Sequence, residues 1–341
     1  MFAAFIGSSA ARRCSATTWM LILLTALLAV CVVSLVIGAG QVGPVRVLGL
    51  LQGVDDSEAL FVVQELRAPR TLIGLTVGVA LGVAGALLQA VSRNPLAEPG
   101  LLGVSAGAAF AVALALVLGA SAATLRISVA QLGALIGCLC VLSVARFRGV
   151  GNDPVRLVLA GAAFSGLLGS LSSLMLLYDQ RAADEIRFWV VGSLAGRRLE
   201  DWWAVLPSLA VAAATVALIA RPLAALALGE RAASGLGHRP GLIRWLAIGC
   251  VALLVGAATA IAGPIAFVGL VVPFVARAIA GPDIRRTLWF CLPIGPLIVL
   301  TADIISRVIV APSELPLGVL TALCGAPVLI AVVRARRLPM L

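Results

Sequence analysis

The chain is a succession of long apolar stretches parted by short polar connections. Within each stretch the apolar positions are continuous, without the alternation of a half-buried strand or the single stripe of a surface helix. Runs with almost no charged residue lie at about 19–40, 71–91, 100–120, 127–145, 157–177, 203–220, 245–262, 265–280, 287–305 and 316–333. Most approach the roughly 20 residues that a helix needs to cross a bilayer's hydrocarbon, so the pattern predicts an all-α polytopic membrane protein with about ten transmembrane helices. An outer-membrane barrel is excluded, because its strands alternate polar and apolar positions. The first run follows Arg12 and Arg13, but its apolar core is too long for a signal peptide and no small-residue cleavage site follows. It is taken as a span, with 1–18 as an N-terminal segment.

The connections differ in length. Residues 41–66 carry Asp55, Asp56, Glu58 and Glu65, and residues 178–202 include Phe188-Trp-Val-Val-Gly-Ser-Leu-Ala195, which is apolar but too short to span. That stretch is expected to lie at the membrane interface or to dip into it. On the other side, 221–244 has the pattern of short amphipathic helices broken by glycine, a place for a soluble partner to grip.

Composition narrows the class. The chain has 341 residues, 62% hydrophobic and 12% charged, with mean hydropathy +1.13, far from the balance of a soluble domain. All 25 basic residues are arginine, and the net charge is +10. These arginines are scattered between apolar runs and aromatics are only 5%, so the basic excess does not describe a nucleic-acid surface. It describes topology. With the N-terminus placed in the cytoplasm, sixteen arginines and four acids fall on the cytoplasmic side and nine arginines and eleven acids on the other. This bias predicts both termini cytoplasmic.

Candidate chemistry is sparse. The seven cysteines sit mostly inside apolar runs and have no zinc spacing, so neither a metal site nor a resident cofactor is assigned. Ion-coupled carriers place carboxylates or histidines inside the membrane, whereas these runs hold almost none. Asp303 and Arg277 lie near span ends, Asp303 and Arg307 are four apart and can pair along one helix face, and the single histidine, His238, is in a loop. No nucleophile–base pair is available, so no catalytic residue is assigned. There is no phosphate-binding G-x-x-x-x-G-K-[ST] motif either, so the energy source is expected on another chain. Gly74, Gly78, Gly82 and Gly85 recur at helical spacing; close helix packing and a pathway lining both fit. Gly263-Pro264 and Pro273 read as a tight turn with a kink, or as a broken helix at a transport site.

Several motifs, in order, resemble the FecCD-type permeases of ABC importers. They are Arg67-Ala-Pro-Arg-Thr-Leu72, Gln89-Ala-Val-Ser-Arg-Asn-Pro-Leu-Ala-Glu-Pro-Gly-Leu-Leu-Gly-Val-Ser105, Gly229-Glu-Arg-Ala-Ala-Ser-Gly-Leu-Gly237, Gly263-Pro-Ile-Ala-Phe-Val-Gly-Leu-Val-Val-Pro273 with Gly281-Pro-Asp-Ile-Arg-Arg286, and Glu314-Leu-Pro-Leu-Gly-Val-Leu-Thr-Ala-Leu-Cys-Gly-Ala-Pro327. The resemblance runs from about residue 60 to the C-terminus. It implies a single permease domain, 1–341, in the bacterial inner membrane, with a second permease subunit (a copy or a homologue), two ATP-binding subunits that hold ATP-Mg, and an extracytoplasmic binding protein. The implied cargo is a ferric siderophore, haem or cobalamin; a secondary-active carrier is the alternative. By matching motif, Arg67, Arg70 and Arg307 are expected to dock the binding protein, or else to anchor their helices at the interface. Asn94, Pro95 and Leu96 are expected in a cytoplasmic gate that is also a proline-flanked turn. Gly229, Glu230, Arg231, Gly235 and Gly237, within the segment 221–244, are expected to meet the ATPase, or to form a solvated loop. Residues 148–156 take the place of a second gate loop but read Gly-Asn-Asp-Pro without the family's hydroxyl residues, and Phe274 stands where the family often has histidine.

Overall fold

A computed structural model describes residues 15–40, 42–120, 123–146, 154–178 and 180–334. The N-terminal segment 1–14, residues 148–153 of the expected second gate stretch 148–156 and the tail 335–341 lie outside the described residues. Apart from turns and extended connections, the described chain is helical. In order the helices are α1 (Ala16–Val36), α2 (Pro44–Leu51), α3 (Ser57–Phe61), α4 (Ala68–Ser92), α5 (Val104–Val117), α6 (Ala123–Arg146), α7 (Pro154–Tyr178), α8 (Gln180–Val190), α9 (Leu199–Ala227), α10 (Glu230–Gly235), α11 (Pro240–Ala262), α12 (Val268–Ala280), α13 (Ile284–Val308) and α14 (Leu317–Arg334). A π-helical turn, Val62–Arg67, joins α3 to α4, and a 3₁₀ turn, Pro99–Leu102, leads into α5.

By length and composition, seven of these segments can cross a membrane, and α5, α12 and the apolar part of α14 are shorter apolar helices. Together they account for the ten apolar runs. Boundaries moved where backbone hydrogen bonding continues past the apolar run. α9 extends through Arg221 and Pro222 to Ala227 and α11 begins at Pro240, so the expected partner segment 221–244 contracts to α10 and its two turns. The stretch 188–195 is the end of α8 followed by a turn rather than a separate element.

α4 is the centre of the bundle. Of its span window 78% is buried, against 6% for α1 and 11% for α7; all three are apolar, so α4 differs in being covered by other helices of the chain. α13 runs antiparallel to it. Gly74 abuts Leu300, Gly78 the Gly295–Pro296 backbone, and Gly82 the Cys291 carbonyl and Val272 of α12. A Cβ added at Gly78 would stand 2.5 Å from the Pro296 nitrogen. Gly85 is pressed against the Gly269 backbone of α12 in the same way, and Gly107 of α5 against Gly133 and Gly137 of α6. Lipid chains offer no hydrophobic drive between helices, so close backbone approach at small residues supplies the contact energy. The glycine rows are therefore packing faces. Interhelical hydrogen bonds add to them: Trp202 Nε1 donates to Thr76 Oγ1 (2.8 Å) and Gln131 Nε2 to Ser208 Oγ (2.9 Å).

α2 and α3 form a small cap at one end of the bundle, packed on Val42, Val47 and Ala59. Arg46 Nε donates to Asp56 Oδ2 at 2.7 Å and Arg46 Nη2 to Glu58 at 2.8 Å. The Arg46 guanidinium, helped by the Ala59 amide, holds the Asp56 carboxyl below the usual carboxylate range.

Two glycines make opposite expectations. Gly78→Val should lower stability in detergent by about 1–3 kcal/mol or abolish folding, since the added atoms meet backbone. Gly249→Ala, where nothing stands within 4 Å, should raise helix stability by ~1 kcal/mol. Thermal unfolding in detergent compares the two, and an unaffected Gly78→Val would remove the packing role of that face.

Candidate functional site

Chemistry collects at the two ends of α4. At its first end, α1 finishes with carbonyls that have no intrahelical partner. Arg67, brought round by the π-helical turn, donates Nη1 to the Leu35 and Val36 carbonyls (3.1 and 2.7 Å) and Nη2 to the Val42 carbonyl (2.7 Å). Arg307, in the last turn of α13, donates Nη1 to the Ser34 and Ile37 carbonyls (2.9 and 3.0 Å) and Nη2 to Ser34 Oγ (2.8 Å). Ser34 and Thr71 share a hydroxyl hydrogen bond of 2.7 Å.

The centre of this cluster is Asp303, with no exposed surface. Arg70 reaches it with Nε at 3.1 Å and Nη2 at 2.8 Å, and Arg307 with Nε at 3.0 Å and through an Nη2 ion pair. Arg70 Nη1 turns to Glu314 at 2.9 Å, in the connection before α14. The i, i+4 pairing of Asp303 with Arg307 foreseen in the sequence is present, and a second arginine from α4 joins it. Arg67, Arg70 and Arg307 are 5%, 9% and 1% exposed, so the three candidate docking arginines lie within the protein, each engaged by groups of this chain. Three guanidiniums against Asp303 and Glu314 leave a positive excess, offset in part by the negative end of the α1 dipole. A cavity of about 380 Å³ opens beside them, lined by Glu58, Arg67, Arg70, Arg197, Arg307 and Glu314 among others. A Cβ at Gly38 would lie 2.6 Å from the Arg67 guanidinium, so a larger residue there would displace that group from its carbonyl partners.

At the other end of α4 the chain turns at Arg93, which has left-handed backbone (φ 51°). Asn94 Oδ1 accepts the Leu96 amide at 2.9 Å and the Asn94 carbonyl accepts the Ala97 amide at 3.1 Å. Asn94, Pro95 and Leu96 thus form the expected proline-flanked turn, each half-buried. The loop is then fastened to α12. Glu98 Oε1 accepts the Phe267 amide at 2.7 Å at the start of that helix, where charge of this sign suits the dipole. Gln89 donates to the Ala97 and Leu270 carbonyls (3.3 and 3.4 Å) and accepts from Arg277 Nη2. Arg277 is 5% exposed, and its Nε and Nη1 have no partner among the described residues. Glu98 is therefore half-buried and fixed to the start of α12, where its position between spans suggests a solvated connection. The break at Gly263-Pro264 is a true interruption: residues 263–266 are not helical, and α12 starts only after left-handed Phe267. Phe274 lies within α12.

α10 follows directly on α9. Gly229 (φ 122°) and Gly237 (φ 79°) make the turns that side-chain-bearing residues resist. Glu230 pairs with Arg244 of α11. Arg231, Gly235 and Gly237 are exposed, as are Leu228 (78%) and Leu236 (64%) on either side of the short helix. Among the described residues no cluster of histidine, cysteine and acidic groups is arranged to hold a metal.

The family model of the FecCD transport family matches residues 23–335. The chain belongs to the FecCD transport family. It is a permease of this family, with several helices capable of crossing a membrane. It is 43% identical over 331 residues to the ferric enterobactin transport system permease protein FepD of Escherichia coli (strain K12), covering 97% of this chain and 98% of that one. It is 34% identical to the cobalamin import system permease protein BtuC of Halobacterium salinarum, covering 83% and 76%. A solved chain, from work on an inward-facing conformation of a metal-chelate type ABC transporter, superposes with a TM-score of 0.80 at 28% identity, covering 94% and 99%.

In this FecCD permease the residues missed by the sequence are those whose partners are remote. Gln89, Glu98 and Glu314 all stood inside quoted motifs, yet their partners lie 181, 169 and 244 positions away. Ser34 carried no signal at all. The cluster makes an ordered expectation. Asp303→Ala leaves two buried guanidiniums without their carboxylate and should cost about 3–5 kcal/mol. Glu314→Ala removes a partly exposed partner and should cost ~1 kcal/mol. Unfolding of the two variants in detergent gives the comparison, and equal losses would deny Asp303 its central place.

Proposed function

We propose that this FecCD permease is one of two permease subunits of an ABC importer for a ferric siderophore, paired with a second copy or a homologue. The observation that carries the cargo is the 43% identity to FepD across nearly the whole of both chains. The whole chain, 1–341, acts as one permease domain. Ten helices cross the bacterial inner membrane with both termini cytoplasmic; the arginine bias of the connections supports that orientation. The end with Asn94 to Leu96 and α10 then faces the cytoplasm, and the arginine cluster faces out.

Two ATP-binding subunits, which hold ATP-Mg, grip α10, whose exposed Arg231 lies between two exposed leucines, the mixture of apolar and charged surface that suits a protein partner. The permease itself carries no cofactor. An extracytoplasmic binding protein docks at the arginine end, its carboxylates drawn by the positive excess of Arg67, Arg70 and Arg307. Because these arginines already have internal partners, docking works by exchange at the rim: an incoming carboxylate takes over Arg70 from partly exposed Glu314. Asn94, Pro95 and Leu96 form part of the cytoplasmic gate. Haem and cobalamin are the other cargoes to test, cobalamin because a relative imports it.

The test is uptake of ⁵⁵Fe-labelled ferric enterobactin into proteoliposomes containing the permease with its ATPase and binding protein, competed separately with haem and cobalamin. Uptake should need ATP and persist with a proton uncoupler. Loss on uncoupling at constant ATP would establish a secondary carrier instead. Glu230→Arg should insert into the membrane normally yet reduce uptake about ten-fold or more, through loss of the Arg244 pair and a reversed charge at the ATPase contact; normal uptake by that variant would remove α10 from coupling.

A further inference from the structure

At the end proposed to face the cytoplasm, the Arg93 side chain joins α4 to α9. Arg93 caps α4 in the left-handed region, a conformation that non-glycine residues adopt seldom and that glycine supplies at many helix ends. Its side chain crosses to α9, where Nη2 donates to the Leu226 carbonyl at 2.9 Å. That same carbonyl accepts the amide of Gly229 at 3.0 Å. One oxygen therefore joins the residue immediately before the gate turn to the first residue of the α10 motif.

Both flanks of this oxygen are arranged to transmit displacement. On the α9 side, Pro222 lies within the helix and cannot donate to the Leu218 carbonyl, so the backbone ladder lacks one hydrogen bond just before the last turn of α9. α10 is tied to the end of α9 by the Gly229 amide on the Leu226 carbonyl (3.0 Å), and to α11 by the Glu230–Arg244 pair. On the α4 side, Arg93 is followed by Asn94-Pro95-Leu96, whose Asn94 hydrogen bonds hold the turn as a unit, and then by Glu98 on the first turn of α12. A push on α10 thus has a short path of hydrogen-bonded groups to the gate turn and onward to a discontinuous helix.

We infer that Arg93 is the residue through which movement of α10 reaches the gate turn 94–96. It is a positioning residue and touches no cargo. The assignment rests on the gate and coupling roles proposed above. Arg93→Gly is the informative variant, since it eases the left-handed backbone while removing the link. In proteoliposomes with ATPase and binding protein, Arg93→Gly should retain assembly and ATP hydrolysis but transport about ten-fold less ⁵⁵Fe-labelled ferric enterobactin per ATP, and Arg93→Lys should recover part of the loss. A wild-type ratio of uptake to hydrolysis in Arg93→Gly would overturn the inference. An inactive wild-type complex would instead refute the functional proposal.

A second measurement needs neither cargo nor partner. Spin labels at Leu96→Cys and Ala232→Cys, in a background without the native cysteines, should give a narrow distance distribution with Arg93 and a broad one in Arg93→Gly. A narrow distribution in both would likewise overturn the link.

Discussion

The antiparallel contact of α4 with α13 is the constraint on which both ends of this permease depend. In lipid, two apolar helices gain little from hiding apolar surface from each other, and what holds them is close packing. Gly74, Gly78 and Gly82 bring the α4 backbone onto α13 at successive turns. That closeness sets Arg70 beside Asp303 at one extremity. It also lets α12 approach at Gly82 and Gly85, which places Gln89 beside Leu270 and Arg277 at the other. A side chain at Gly78 would meet the Gly295–Pro296 backbone and part α4 from α13.

The polar groups are then used in two different ways. At the arginine end, charge is concentrated and largely neutralised within the chain, with the unpaired carbonyls of α1 serving as acceptors for Arg67 and Arg307. Breaking a buried ion pair is costly because the survivor cannot be solvated, which fixes α1, α4 and α13 relative to one another. At the other end the bonds are fewer and mostly run to backbone carbonyls or amides: Arg93 to Leu226, Gln89 to Ala97 and Leu270, Glu98 to Phe267. Individual hydrogen bonds of this kind are modest in net energy, so this end can rearrange where the arginine end holds. The arginine end is thus the more rigidly held of the two ends of α4. Arg277, whose Nε and Nη1 have no partner among the described residues, belongs to the other, yielding end.

α12 shows how little length tells about depth. Its 13 residues begin after a non-helical stretch and pack at Gly269 against Gly85, well inside the end of α4. Irregular backbone within a membrane bundle is tolerated where protein buries it, and here Glu98 and the Gly192–Gly263 turns supply the cover.

The all-helical architecture, the ten apolar segments, the glycine face of α4 and the Asp303–Arg307 pair were legible from residue order, because each rests on continuous hydropathy or on a local helical repeat. So was the family, since its motifs are contiguous. Helix ends at Ala227 and Pro240 were not, because hydrogen bonding outlasts the apolar run. Nor were the burial of Arg67, Arg70 and Arg307, the insertion of Glu98 at α12, or the meeting of Arg93 with Leu226. Each of those depends on a partner more than twenty residues away. Periodicity records which face of a helix is apolar. It holds no record of which other helix covers that face, and only packing in three dimensions decides whether a charge between two spans lies in water or against a neighbour's backbone.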